Sequence, residues 1–574
     1  MRIQFTSKHS FFSNKHIFIL LLWMLYLPLG FCQNSDTPKE VTNTYYFKNI
    51  NVVVKPGQVL ESHQLILKNG LIDAVGKNLT VPAEAMVISA DSLFAYPGFI
   101  DAFSFTGIPK TENKDQQKVN DPGNPPDDIA GITPQKSVAE TYKTGDKSIG
   151  DMRSVGFTMS NVSPRGLMLP GKTSLLLHLD EDLDKVSFKK DVAMTAQFTT
   201  NRSVYPSTVI GVMSKFRDLY KNSEILGASH EKYMMNPSGL QRPLYKKEEW
   251  ALFPVTQKKL PVFFVASSSN QVFRALELKK ELGFSMVLVD VKQAWAALPE
   301  LKKHGVLTAL SLELPEEIKD KGKEESKDST SVKKQLSAEE MDFEKKKIQS
   351  YKQHVGQAAE FEKAGLPFSF SALNVKPQDI PKNIRRMVKE GLSEKAALEA
   401  LTTNPATLLG VSSSMGTIEK GKVANIVVTE KNFFDDKSKI KYVFVDGKMF
   451  EIITQKSDKK GNEEVGKGTL VGIWSFTVEM GAQSQKGTMT ISGKPEKYTI
   501  SLTSDDKPDE SESAYDIKVQ DKIVTFSLST DADGSSITLD FELNFEGNTF
   551  SGEVSANEMG TFPVKGEKKS NPNQ

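Results

Sequence analysis

Residues 96–105 read YPGFIDAFSF, and the interpretation of the whole chain starts from them. The Pro97-Gly98 pair is typical of a turn, and the mostly apolar residues that follow are typical of a short buried strand. The pattern of the sequence differs on the two sides of this stretch. We therefore place here the boundary between an N-terminal β unit and the main domain of the chain.

Residues 97–411 alternate short apolar runs with segments of helical periodicity, which is typical of parallel βα units. An amphipathic helix over residues 271–282 separates two of these runs. The clearest predicted strands are residues 158–162, 262–265, 286–289 and 306–310. We therefore predict an α/β fold in which residues 97–411 form a (β/α)8 TIM-like barrel, with functional loops at the carboxyl ends of its strands.

Both flanks of this barrel show the apolar and polar alternation of antiparallel strands. Residues 33–96 contain the Asn69-Gly70 pair, which is a strong signal for a hairpin turn. Residues 412–454 return to the same kind of alternation after the barrel. We predict that the two flanks join in one composite β-sandwich domain.

The last part of the chain is predicted to be a separate all-β domain. Residues 455–467 are polar, with lysine, glycine and acidic residues, and are typical of a linker. Residues 468–566 hold several short strand patterns separated by turn signals, which predicts a β-sandwich or barrel. Its Gly-x-Trp opening, which ends at Trp474, faintly resembles lipocalin-like barrels. Residues 567–574 form a polar tail.

Residues 1–32 have the features of a secretory signal peptide. Three basic residues precede an apolar run over residues 17–29, which is too short to span a bilayer. Gly30 and Cys32 supply small residues for cleavage after Cys32, whereas lipid attachment at Cys32 fits less well because the bulky Phe31 precedes it. No other segment is apolar enough to cross a membrane. We therefore expect an exported protein, in the periplasm or at the cell surface.

The composition excludes several classes of function. The 574 residues carry a formal charge of only +1. The positive electrostatic potential that attracts nucleic acid is therefore not expected. Glycine-rich phosphate loops are absent, and nothing indicates a nucleotide or a flavin. Cleavage after residue 32 would remove the only cysteine. The exported chain would then have no disulfide, no cysteine nucleophile and no cysteine-ligated zinc.

Further motifs share their order and separation with the opening stretch. They are GLIDAVG at residues 70–76, LTTNPA at residues 401–406, GTIEKGK at residues 416–422 and VFVDG at residues 443–447. Together with residues 96–101 they resemble the amidohydrolase superfamily, the metal-dependent hydrolases of C–N and related bonds. The resemblance spans roughly residues 45–452, and its middle part is similar to the imidazolonepropionase-like branch, including residues 163–166 and 205–207. It implies the barrel, the composite domain and a site at the barrel mouth.

The resemblance also implies a set of metal ligands, which can be compared with this chain position by position. In the family, PGFIDA is followed by His-x-His, and both histidines bind the metal; here these positions are Phe103 and Phe105. The aspartate of the last barrel strand is the family's usual general base. The remaining family positions fall on Val265 or Ser267, on Asp290, and on Leu373 or Asn374. Of the set, Asp290 alone carries a group of the expected kind, although it stands where the family has a histidine.

The histidines of the chain support the same reading without any alignment. Five follow residue 32, the closest two are His304 and His354, and no His-x-His or His-Glu-x-x-His occurs. The family would use zinc or another divalent metal. For this chain we expect no metal cofactor, because two phenylalanines at ligand positions cannot coordinate one.

Our leading hypothesis is a pseudoenzyme that keeps the fold, has lost the metal centre and acts as a non-catalytic binding or assembly subunit. The resemblance implies that a related, metal-bearing amidohydrolase subunit is a plausible partner in an oligomer. Asp290 is the candidate catalytic residue if a site has been rebuilt. The polar candidates for binding at the barrel mouth are Arg165, Lys172, Ser267 and Ser268.

Two alternatives belong to other classes of function. The first is an active hydrolase with a rebuilt or metal-independent site, in which Asp290 would be a base or a ligand. The second is a solute- or glycan-binding protein that uses its C-terminal β domain, with Trp474 as an exposed aromatic residue. The sequence does not reveal a substrate, a ligand or the role of the C-terminal domain.

Overall fold

The structure is a computed structural model of the chain. It describes residues 43–110, 119–318, 337–452, 470–480, 483–494, 497–506, 510–520, 522–532, 535–556 and 560–569. The predicted signal peptide and linker lie outside the described residues. Among the residues that are described, no helix has the length and apolar character needed to cross a membrane.

The first domain is a single eight-stranded sheet to which both flanks of the barrel contribute. Its strand order is β18-β17-β16-β5-β1-β2-β3, and β4 pairs with β1. The antiparallel pairing of β16 with β5, in which Val427 faces Tyr96, joins the C-terminal flank to the N-terminal one. The strands are β1 (Thr44–Lys55), β2 (Gln58–Lys68), β3 (Leu71–Gly76), β4 (Met86–Ser89), β5 (Phe94–Pro97), β16 (Ile426–Thr429), β17 (Ile440–Val445) and β18 (Lys448–Glu451).

The main domain contains two further sheets, of strand order β10-β9-β7-β6 and β15-β14-β13-β12-β11-β8. The strands are β6 (Phe99–Ser104), β7 (Phe157–Val162), β8 (Gly171–Lys172), β9 (Ser174–Leu177), β10 (Ser187–Lys189), β11 (Met194–Gln197), β12 (Val262–Val265), β13 (Met286–Val291), β14 (Leu307–Ser311) and β15 (Phe368–Ser371). The last strand lies beside the first, because Ser371 Oγ donates a hydrogen bond of 2.8 Å to the carbonyl of Phe103.

One position in this domain departs from the predicted (β/α)8 pattern. Strands β6 and β7 pair in parallel, as do β11 to β15 in succession. The segment over residues 171–177 is instead antiparallel to both of its neighbours. Its strand β9 pairs with β7, and its strand β8 pairs with β11. The connection from Val162 to Gly171 is too short for the crossover that a parallel pair requires, so the chain turns back.

The helices of the main domain lie between and after its strands. They are α1 (Lys147–Ser154), α2 (Leu183–Val186), α3 (Val209–Met235), α4 (Lys247–Thr256), α5 (Ser269–Leu282), α6 (Leu298–Lys303), α7 (Ala338–Val355), α8 (Gln357–Lys363), α9 (Ile380–Lys389), α10 (Glu394–Leu401) and α11 (Thr403–Leu408). The helix predicted over residues 271–282 is α5, which begins two residues earlier.

The main domain has two apolar layers, which follow from the alternation of side chains along each strand. Phe263, Val287 and Ala309 belong to a cluster that also contains Phe103 of the first strand. Their neighbours Phe264 and Leu288 belong to a second cluster, shared with the helices. The cluster that contains Phe103 is therefore a packed apolar core contributed by both sheets.

The C-terminal domain is a nine-stranded antiparallel sheet in the order β22-β21-β20-β19-β27-β26-β25-β24-β23. Trp474 lies in its core at 1% exposure and donates its indole N–H to the carbonyl of Leu470 at 2.9 Å. A core position for Trp474 is therefore confirmed, and the alternative in which it is an exposed binding residue is wrong. The strands are β19 (Gly472–Met480), β20 (Gln483–Lys494), β21 (Lys497–Ser504), β22 (Ser511–Ser513), β23 (Tyr515–Gln520), β24 (Ile523–Ala532), β25 (Ser535–Glu546), β26 (Thr549–Ala556) and β27 (Gly560–Lys568).

Candidate functional site

Four polar residues meet at the carboxyl ends of β12 to β15. Asp290 belongs to β13, Ser267 follows β12, Ser311 ends β14 and Asn374 follows β15. The Asp290 Oδ2 atom accepts hydrogen bonds of 3.3 Å from Ser267 Oγ and of 3.3 Å from Asn374 Nδ2. Neighbouring parallel strands end at the same face of a barrel, which is why residues far apart in the chain converge here. We call these four residues the Asp290 cluster.

Burial dominates the electrostatics of the Asp290 carboxyl. The residue has 0% exposure, and desolvation raises its pKa to about 6. The nearby hydroxyl of Ser311 and the charge of Lys292 oppose this rise, whereas the charge of Glu313 adds to it. A carboxyl with this pKa changes its charge close to neutral pH, which is the range that a general acid or base needs.

The backbone and the second oxygen of Asp290 are also unusual. The residue has φ +54°, in the left-handed region that residues other than glycine rarely adopt. Its Oδ1 atom is buried without a hydrogen-bond partner among the described residues. Strained backbone and unpaired buried polar atoms are both costly, and both are concentrated at functional sites.

The carboxyl end of β6 presents an apolar surface instead. Phe103 has 0% exposure, and its ring centroid lies 6.4 Å from that of Phe105 and 6.4 Å from that of Phe263. The half-buried Phe105 is covered by Arg165, whose guanidinium carbon lies 4.2 Å from the ring centroid. Arg165 Nε also donates to the carbonyl of Ile108 at 3.1 Å. This predicted binding residue is thus held by a cation–π contact and a backbone hydrogen bond.

Asp101 has a structural role in the same region. Its Oδ1 atom accepts hydrogen bonds from the amides of Phe103 at 3.1 Å and of Ala372 at 3.0 Å. These bonds fasten the end of the last barrel strand to the first. Burial raises the pKa of Asp101, and the hydroxyls of Ser104 and Ser160 oppose part of that rise.

The other predicted binding residues have distinct local partners. Lys172 forms an ion pair of 2.5 Å with Asp191, and Ser268 is the N-cap of α5, where its hydroxyl accepts from the amide of Gln271 at 3.4 Å. Ser268 therefore stabilises a helix end. Of the predicted site residues, the structure brings Ser267 and Asp290 together and does not bring Lys172 or Ser268 into their cluster.

The remaining ligand positions implied by the resemblance do not fit a metal ion. Val265 and Leu373 are half-buried and pack against the same apolar cluster as Phe103. Zinc in catalytic sites is held by three side chains, which are histidine, carboxylate or thiolate. Within the described ranges, no three or more residues of these kinds are grouped so that they could hold a metal ion. Of the ligand positions that the resemblance implies, Asp290 alone supplies a carboxylate.

Histidine does not contribute to the Asp290 cluster either. His178 is buried and places its two ring nitrogens 2.7 Å from the carbonyl of Phe157 and 2.9 Å from Ser160 Oγ. Burial lowers the pKa of His178 to about 4, so it stays neutral at physiological pH. His304 pairs with Glu300, and His354 contacts Gln293.

Sequence reasoning missed an ion pair beside the Asp290 cluster. Lys292 Nζ lies 2.5 Å from Glu313 Oε2, and both residues line a cavity of about 230 Å³ that also reaches Ser311. Each follows the end of a barrel strand by one or two residues. That position in the chain was the signal that could have identified them.

Comparisons with known proteins agree with this fold. Residues 352–450 match the Amidohydrolase family, and this segment contains the motifs at residues 401–406, 416–422 and 443–447. The structure is similar to that of an amidohydrolase from Thermotoga maritima MSB8, with a TM-score of 0.57 and 20% identity over 71% of this chain and 100% of that chain. The resemblance to the amidohydrolase superfamily is thereby confirmed, and the structural likeness shows the fold.

Other solved structures are more distant. A Xaa-Pro dipeptidase with bound methionine in its active site has a TM-score of 0.42 and 14% identity over 71% of this chain and 100% of that chain. A putative prolidase from Bifidobacterium longum has a TM-score of 0.40 and 14% identity over 71% of this chain and 95% of that chain. No curated protein sequence matched the chain.

Proposed function

We propose that this protein is an exported pseudoenzyme of amidohydrolase fold, which acts as a non-catalytic binding or assembly subunit without a metal cofactor. In this proposal the two sheets of the main domain close into one barrel, and the segments that precede and follow the barrel form the composite β domain. The protein would act in the periplasm or at the cell surface.

The observation that carries this proposal is the replacement of the His-x-His pair by Phe103 and Phe105. A catalytic metal would lower the pKa of its bound water from about 15.7 to about 7 and so supply hydroxide at neutral pH. The phenyl ring of Phe103 instead packs against Phe263 in a fully buried position. A ligand set cannot be restored there by a side-chain rotation, because the ring carries no donor atom.

Metal binding tests the proposal directly. The protein, purified without residues 1–32, would be incubated with zinc, passed through a desalting column and measured by elemental mass spectrometry. We expect far less than one metal ion per chain, and no difference between the wild type and Asp290→Asn. One tightly held ion per chain that Asp290→Asn releases would overturn the proposal.

The proposed partner is a related amidohydrolase subunit that carries an intact metal site. Affinity capture from the source organism, with the tagged full-length chain as bait, would identify it. We expect a stoichiometric complex that contains a second chain with a His-x-His motif. Recovery of the bait without such a chain, under conditions that preserve known complexes of the same compartment, would contradict the assembly role.

A second candidate function is metal-independent hydrolysis at the Asp290 cluster. It is favoured by the buried Asp290 carboxyl, whose pKa of about 6 lets its carboxylate accept a proton from an attacking water. Turnover of a panel of amides would be measured in the presence of a chelator. Activity that rises with pH through about 6, survives chelation and disappears in Asp290→Asn would establish it. The absence of turnover across the panel would favour the non-catalytic role.

A further inference from the structure

The helical hairpin of α3 and α4 ends in an exposed apolar loop. The buried residues of α3 all lie between Val212 and Gly227, so its last two turns extend beyond the part that packs in the core. Helix α4 runs back along them, with the rings of His230 and Trp250 4.7 Å apart. We call residues 234–245, at the far end of this hairpin, the hairpin tip.

The hairpin tip exposes a cluster of large apolar side chains. Five of its residues are between 48% and 85% exposed, and they are Met234, Met235, Leu240, Leu244 and Tyr245. Single exposed apolar residues are ordinary on protein surfaces, but five large ones within a single short connection are a candidate interaction site. The mixture of flexible methionines, leucines and a tyrosine is suited to an interface with an apolar interior and a wet edge.

The basic side chains around the hairpin tip are more exposed than most of the acidic ones. Lys232 and Arg242 are exposed, and so are Lys246 and Lys247, whose side chains are 62% and 63% exposed. The carboxylates that pair with the last two point inward, because the side chains of Glu249 and Glu248 are only 12% and 14% exposed. Glu231 is the exposed acidic residue among them, and Gln257 donates to it at 3.3 Å. The surface that the tip presents is therefore apolar with a basic border.

We propose that the hairpin tip docks on the surface of an anionic lipid membrane. Apolar side chains next to lysine and arginine fit the boundary between acyl chains and acidic headgroups, and tyrosine is enriched at that depth. The basic border matches the negative charge of such a surface. The inference concerns a surface separate from the Asp290 cluster, so it stands whether or not the proposed function is correct.

Vesicle flotation tests the docking surface. The protein, without residues 1–32 so that the apolar N-terminal run does not itself bind lipid, would be mixed with vesicles of phosphatidylcholine alone or with phosphatidylglycerol. We expect binding to the anionic vesicles that weakens at high salt. The triple variant Met234→Ser, Met235→Ser, Leu244→Ser should bind at least about tenfold more weakly, because it loses most of the apolar contact.

Matched controls come from the same helix. Ile210 and Ile225 are 78% and 65% exposed but lie outside the tip, so Ile210→Ser with Ile225→Ser should bind like the wild type. The charge variant Arg242→Gln should bind about fivefold more weakly to anionic vesicles and unchanged to neutral ones. Circular dichroism would verify that each variant is folded.

Three results would overturn the proposal. They are a wild-type protein that floats with neither kind of vesicle, a triple variant that binds as well as the wild type, and control variants that lose as much binding as the triple variant. Sedimentation equilibrium would identify the main competitor. A wild-type oligomer that the triple variant dissociates, without vesicle binding, would make the tip a protein interface and exclude the membrane.

Discussion

The two halves of the barrel mouth bury different kinds of side chain, and burial has opposite effects on stability in the two halves. At the end of β6, Phe103 is buried among other apolar rings, and its burial stabilises the fold. At the ends of β12 to β15, Asp290 is buried with a raised pKa, a left-handed backbone and an oxygen that has no hydrogen-bond partner in the described part of the chain, all of which are unfavourable. The comparison teaches that the chain fills one part of the mouth with apolar rings but keeps a costly polar group in the adjacent part.

The largest expected effect is on the apolar half. Phe103→Ala should lower the free energy of unfolding by about 3–5 kcal/mol, because it removes a fully buried ring from a packed core and leaves a cavity. Urea unfolding of the main domain measures this loss. Phe105→Ala is the matched control and should cost less, since Phe105 is only half-buried. Equal losses at both positions would show that the two rings are not packed differently.

The second prediction concerns the pH dependence of stability at the polar half. The pKa of Asp290 is about 6 in the folded protein and about 3.9 in the unfolded chain. The folded protein therefore keeps the proton of this carboxyl up to a higher pH than the unfolded chain does. The Asp290 contribution to the free energy of unfolding should therefore fall between about pH 4 and pH 6, by about 3 kcal/mol in total. Below pH 4 both states are protonated and the contribution is constant.

Asp290→Asn isolates this contribution, because asparagine has nearly the same shape and tolerates a left-handed backbone. The stability of the variant relative to the wild type should grow from pH 4 to pH 7, as followed by urea unfolding at several pH values. Ser267→Ala is a useful companion, because it removes a hydrogen bond that stabilises the charged carboxylate. It should raise the folded pKa of Asp290 further, so that the fall in stability is larger than in the wild type and extends to higher pH. Parallel pH profiles for Asp290→Asn and the wild type would refute the raised pKa.

A smaller effect on stability distinguishes the role of Ser268 from that of the adjacent Ser267. Ser268→Ala should lower the free energy of unfolding by about 1 kcal/mol, because it removes the N-cap of α5. The loss should not vary between pH 4 and pH 7, in contrast to Ser267→Ala. Thermal or urea unfolding at both pH values distinguishes them. A pH-dependent loss in Ser268→Ala would mean that Ser268 also interacts with Asp290.

The smallest effect is expected at the edge of the apolar half. The coupling energy between Arg165 and Phe105 should be about 0.5–1 kcal/mol, because Arg165→Met removes the charge above the ring while keeping a long apolar stem. The same substitution in a Phe105→Leu background should cost clearly less. A double-mutant cycle with urea unfolding gives the coupling energy. A coupling near zero would mean that Arg165 is held only by its backbone hydrogen bond.

The sequence predicted the larger features of the fold because they follow from local patterns. The alternation around Asn69-Gly70 predicted an antiparallel unit, and the structure has a turn between β2 and β3 at that place. The antiparallel segment over residues 171–177 was not predicted. A short apolar run has the same composition whether it forms a parallel or an antiparallel strand. Its direction is decided only by its pairing with β7 and β11.

For the candidate site, the residues were easier to predict than their partners. The resemblance to the amidohydrolase superfamily implied Ser267, Asp290 and Asn374 as possible family positions. The sequence also selected Lys172 and Ser268, which have local structural roles. Ser311 and the ion pair of Lys292 with Glu313 were missed, although they lie at or just after strand ends, because only the folded chain brings them beside Asp290.

The sequence by itself predicted, through its resemblance to the amidohydrolase superfamily, that Phe103 and Phe105 stand at the first two metal-ligand positions, since the PGFIDA motif before them is unbroken. It also determined the order of the domains, because periodicity is a local property of the chain. Only the tertiary structure decided that Asp290 meets Asn374, which is 84 residues away, and that Trp474 is buried. The raised pKa of Asp290 exists only in the folded chain, because desolvation requires the surrounding strands to exclude water from the carboxyl.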